Sequence, residues 1–139
     1  MGKANRKTSP AGLPYGDCKG QLRSRAESIV SETLASLPDD LRARALSIPI
    51  SYADRPSRIQ LEEGLLPEDL GLFSGPSLCD IDGPECLESP SITLFLANLW
   101  DYCEADPDVF DEEVERTFLH ELGHYFGFEE EDMPERDLD

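Results

Sequence analysis

The chain has 139 residues, room for one domain with its own core and too few for two. Hydrophobic side chains make up 39% and charged ones 30%, the composition of a folded protein, yet the formal net charge is -18 at pH 7. Residues 1–58 hold 10 of the 12 basic and 6 of the 30 acidic side chains, so the remainder carries a net -22 and repels phosphate backbones and anionic headgroups; nucleic acid and membrane surfaces are excluded as expected partners.

No apolar run reaches the roughly 18 residues of a membrane span, and the stretch from Met1 to Gly20 has no signal-peptide core. A cytoplasmic protein is expected. Arg6 stands where an N-myristoylation pattern requires Ser or Thr. The cysteines Cys18, Cys79, Cys86 and Cys103 form no CxxC pair, so free thiols are expected, with a Cys79–Cys86 bridge or a thiolate ligand as the alternative.

In chain order, residues 1–20 mix Gly, Pro, Ser and basic side chains without periodicity and read as a mobile arm. From Gln21, the residues Leu22, Ala26, Ile29, Val30, Thr33, Leu34 and Leu37 recur at helical spacing and predict an amphipathic helix ending near Pro38. Pro38-Asp39-Asp40 opens a short second helix, and Ile48–Tyr52 follows as a strand that Pro49 assigns to a sheet edge. Residues 53–90, rich in Pro and Gly, read as loops around a short segment Leu70–Phe73. Ser91–Ala97 has the strongest strand pattern in the chain, followed by a helix or turn over Asn98–Glu104.

Asp106-Pro107 then supplies a capping acid and a first-turn proline, and a long helix is predicted from there to about Phe126. Phe110, Val114, Phe118, Leu122 and Tyr125 form its apolar stripe, widened by Leu119 and Phe126; Glu113, Thr117, His120 and His124 lie on another face. The helix should be central, with a small sheet packed on it in a single α+β domain over residues 21–132, leaving 133–139 as an acidic tail.

On that helix stands His120-Glu121-Leu122-Gly123-His124, the HExxH pattern. Residues four apart differ by only about 40° around a helix, so both imidazoles can reach one metal ion. Glu121 sits about 100° round from His120, placed to reach a water on that metal rather than to ligate it. Chance would produce HExxH in about one of several hundred chains of this length. Both histidines of the chain belong to it. A catalytic zinc needs a third protein ligand and an open position. Gly127 lies where the helix should end, able to take the left-handed conformation that turns the chain back, and Glu129, Glu130, Glu131 and Asp132 follow.

The segment His120 to Gly127 resembles the signature of the minimal zincins, small bacterial proteins described as possible zinc metallopeptidases, with the extended pattern HExxHxxGxxD. The order of parts upstream is similar too: an N-terminal helix, Leu37–Arg55, Leu70–Gly75 and the strand Ile92–Ala97, so that the resemblance spans about residues 21–132. It implies one zinc ion per chain held by His120 and His124, Glu121 as the catalytic acid/base and Gly127 as the turn glycine. The aspartate position of the pattern falls on Glu130, one methylene longer, with Glu129, Glu131 and Asp132 as alternatives for the third ligand.

The expected function is thus a zinc-dependent hydrolase, a metallopeptidase acting on a peptide or protein through a metal-bound water activated by Glu121. Two details stay open at this point. The strand Ile92–Ala97 either pairs with an extended substrate or belongs to the core sheet, and Tyr125 either donates to an oxyanion or packs in the core. Two other functions fit the motif: a non-catalytic zinc-binding adaptor or regulatory module, and a deformylase-like hydrolase with Cys86 as third ligand, because Glu85-Cys86-Leu87-Glu88-Ser89 resembles that family's cysteine segment.

Overall fold

A computed structural model describes residues 9–75 and 89–127. Helix α1 runs Tyr15–Ala35 and buries Cys18, Leu22, Ala26, Val30 and Thr33, a spacing of three and four that keeps one stripe inward. Helix α2, Asp39–Ala45, follows with two acids in its first turn, where they complement the helix dipole. Strand β1 is Ile50–Ala53 and helix α3 is Arg58–Glu62, the latter held by a reciprocal cap between Ser57 and Gln60. Strand β2 is Gly71–Ser74, strand β3 is Ser91–Phe95, helix α4 is Leu96–Tyr102 and helix α5 is Pro107–Phe126.

The three strands form one sheet in the order β1-β3-β2, with β1 parallel and β2 antiparallel to β3. Ile50, Ile92 and Phe73 share one face with Leu94 and Gly71 by register, and that face meets the helices: Gly71 lies against Thr117 of α5. Ile92 and Leu94 are wholly buried there with Leu22 of α1 and Phe110, Val114 and Phe118 of α5. The opposite face carries Ser51 and Ser74, both exposed, and Thr93 and Leu72, partly buried. This is the small sheet on a central helix that the sequence predicts, an α+β domain.

Several boundaries differ from the sequence reading. Residues 9–20 are not a loose arm: α1 starts at Tyr15, the Gly12 amide donates to the Ala105 carbonyl, and the Trp100 indole donates to the Leu13 carbonyl at 2.8 Å. Those contacts reach about ninety positions along the chain, and no local pattern announces them. Strand β3 ends at Phe95 rather than Ala97, because Leu96, Leu99, Trp100 and Cys103 bury themselves at helical spacing and draw the chain into α4. The segment expected as loops around Leu70–Phe73 also holds α3, and its short segment is β2, shifted by one residue. Pro49 does precede an edge strand, as expected.

Cys18 and Cys103 are buried free thiols, as expected; Cys79 and Cys86, and with them the alternative of a bridge, lie outside the described residues. Among the described residues no helix is long and apolar enough to cross a membrane.

Candidate metal centre

Helix α5 is built to start and stop where it does. The Asp106 carboxylate accepts from the amides of Asp108 and Val109 at 3.0 and 3.2 Å, and Pro107 occupies the first turn. Gly127 closes the helix in the left-handed conformation, φ 81° and ψ 18°, with its amide on the His124 carbonyl. The apolar stripe buries Phe110, Val114, Phe118, Leu122 and Tyr125, so the rotation of the helix is fixed and His120, Glu121 and His124 take the remaining side, half-buried.

The two imidazoles converge. Their Nε2 atoms lie 3.3 Å apart, with ring centroids at 4.8 Å and planes at 87°. That separation serves either one N–H···N hydrogen bond or two lone pairs aimed at a single cation. Zinc–nitrogen bonds of about 2.0–2.1 Å at a tetrahedral angle require nitrogens about 3.3–3.4 Å apart, so the pair fits zinc in spacing and in donor type.

Glu121 stands beside both rings. Burial pushes its carboxyl pKa up, opposed by His124 and His120 and by a hydrogen bond that its carboxylate accepts from the Phe73 backbone amide; the Asp69 charge adds to the rise. Strand β2 therefore touches the site directly. Gly71 packs on Thr117 and on the stem of Glu121, and Phe73 packs on Tyr125 with centroids 6.1 Å apart. Tyr125 is 4% exposed within the apolar cluster, which is the core position rather than an oxyanion donor.

The segment leading into β2 is pinned from below. Asn98, 5% exposed, donates to the carbonyls of Pro67 and Asp69 and accepts from Arg55, each at 2.7 Å. Strand β3 is bonded on both sides, so the strand part of the predicted segment, up to Phe95, belongs to the core sheet and is closed to an added strand. Among the described residues, the edge beside the site is β2. Since the Phe95 amide donates to the Leu70 carbonyl, Leu70 and Leu72 direct their peptide groups toward β3, and those of Gly71 and Phe73 point outward.

Of the residues singled out in the sequence, the structure brings His120, His124 and Glu121 together. Among the described residues no third His, Cys, Asp or Glu, Glu121 included, joins the two histidines in a metal-sized group. Glu130 and its neighbours Glu129, Glu131 and Asp132 lie outside the described residues, as does Cys86. The sequence reading missed Gly71, Asn98 and the Phe73 amide. A glycine inside an apolar strand is a signal of close backbone approach, and it stood in Leu70–Phe73 unused. A main-chain amide carries no such mark.

No curated protein matches the chain. The zincin-like metallopeptidase family matches residues 46–139, a span that takes in the whole sheet, α4, α5 and the HExxH motif. With more than half its length so matched, and with the paired imidazoles and adjoining carboxylate of that motif on its central helix, this chain belongs to the zincin-like metallopeptidases.

Proposed function

We propose that the protein is a zinc-dependent peptidase with His120 and His124 as metal ligands, Glu130 as the third and Glu121 as general base. The observation that carries this reading is the 3.3 Å approach of the two Nε2 atoms with the Glu121 carboxylate at their side. Zinc held there supplies Lewis acidity and lowers the pKa of water. The Glu121 carboxylate takes a proton from the attacking water and passes it to the leaving amine nitrogen. The half-burial that raises its proton affinity suits both halves of that task. The left-handed conformation of Gly127, three residues after His124, supports its role as the turn glycine of the pattern. An extended peptide would add to the outward edge of β2, through the Gly71 amide and carbonyl and the Phe73 carbonyl, the Phe73 amide being held by Glu121.

Elemental analysis of the purified protein should find one zinc per chain, lost in His124→Ala and weakened in Glu130→Ala. Glu121→Gln should keep the zinc and lose chelator-sensitive cleavage of a peptide library by about 10²–10⁴-fold. A wild-type chain that takes up no zinc on reconstitution overturns the reading, as does a Glu121→Gln variant that cleaves as well as wild type. Zinc retained without cleavage of any peptide would instead identify a zinc-stabilised binding module.

A further inference from the structure

The contact between β2 and α5 is unusually close at one point. A Cβ built on Gly71 would lie 2.7 Å from Thr117 Cγ2, 3.3 Å from the Thr93 carbonyl oxygen and 3.4 Å from Glu121 Cγ. The first distance is inside van der Waals contact, and Thr117 is a buried, β-branched side chain with little rotamer freedom in a helix. Only a bare Cα lets the strand lie where it does. Two positions on, the Phe73 amide donates to the Glu121 carboxylate, and Phe73 rests on Tyr125.

We infer that Gly71 is a positioning residue for Glu121: its missing side chain, matched to Thr117, sets the strand-to-helix distance at which the Phe73 amide holds that carboxylate toward the histidines. The role rests on Glu121 acting as the base. It adds a size-matched pair outside the HExxH motif on which the motif's glutamate depends. Thr117 lies one turn before Glu121 on α5, so Gly71 and Thr117 fix the carboxylate through its stem and its hydrogen-bond donor rather than through the metal.

The test uses Gly71→Ala, Thr117→Ser and the double variant; Thr117→Ser removes the very methyl group that the added Cβ would strike. In metal-free protein, amide NMR should show the Phe73 resonance displaced and its hydrogen exchange at least about tenfold faster in Gly71→Ala, unchanged in Thr117→Ser and restored in the double variant. Zinc affinity, measured by competition with a chromophoric chelator, should stay within about threefold of wild type in all three. With a fluorogenic peptide that the wild type cleaves, kcat should fall by about ten- to a hundredfold in Gly71→Ala with a smaller change in KM, and return in the double variant. A native Phe73 amide in Gly71→Ala, a double variant that fails to restore it, or full turnover in Gly71→Ala overturns the inference. A wild-type chain that cleaves no peptide overturns the peptidase reading instead, and the amide measurement still decides whether the pair sets the contact.

Discussion

Carboxylates on this strongly acidic chain take opposite directions according to where they sit. Glu121 is pushed toward the protonated form by burial, whereas Asp54, at the end of β1, is held below the ordinary carboxylate range by hydrogen bonds from Tyr15 and Lys19. The Tyr15 hydroxyl lies 2.7 Å from Asp54 and the Lys19 ammonium 3.0 Å, so the acid fastens the start of α1 to the sheet. Because its folded-state pKa is lowered, Asp54 contributes stability above its unfolded pKa, and that contribution is lost as pH falls through the folded value. Urea unfolding of wild type and Asp54→Asn should differ by under about 1 kcal/mol at pH 7, since both ion-pair partners are half exposed. The gap should narrow from about pH 4 downward. A gap that widens in acid would contradict the assignment. At this scale the sequence showed which acids and histidines are chemically able; which of them are buried or bonded depended on neighbours such as Tyr15, thirty-nine positions from Asp54.

Elements in this fold are joined by a few polar contacts set into apolar ones. Arg25 of α1 grips Asp111 of α5 through two hydrogen bonds at 2.9 and 2.8 Å, aligning the two longest helices. Asn98 does the corresponding work for the segment before β2, and all three of its contacts are to groups more than twenty-five positions away. Asn98→Ala should destabilise the protein by about 1–2 kcal/mol in denaturant unfolding, because two part-buried hydrogen bonds to main-chain carbonyls are lost. Hydrogen exchange at Leu70–Phe73 should accelerate with it. An effect confined to global stability, with β2 as protected as before, would show that Asn98 does not hold this edge. The ends of α5 were legible in advance because caps are local: Asp106, Pro107 and Gly127 act within one turn. The last residue of β3 and the start of α1 were not; at β3 an apolar stretch such as Leu94–Ala97 satisfies either strand or helix until a partner chooses.

Over the whole molecule, residues 9–14 close the core beside α4. Leu13 packs on the apolar cluster and its carbonyl accepts from the only tryptophan, Trp100, which also meets Phe110 edge to face. Deleting residues 1–14 should cost about 2–4 kcal/mol, from an unpaired buried indole donor and lost apolar burial. Trp100 fluorescence reports it: the midpoint of denaturant unfolding should fall, and an unchanged midpoint would mean that the segment is dispensable. The matched family span begins at Leu46, so α1 and the residues before it lie outside the match while supplying one wall of the core.

The sequence by itself determined the central helix, its caps and the HExxH arrangement, because helical periodicity and capping are set by residues within one or two turns of each other. It also pointed to the family that the match then showed. Only the tertiary structure decided that β2 rather than β3 is the edge beside the site, that the Phe73 amide reaches Glu121, and that residues from 9 onward belong to the fold. Each of these depends on a pairing between segments far apart in the chain, often through main-chain groups that every residue shares, and periodicity carries no record of such pairings.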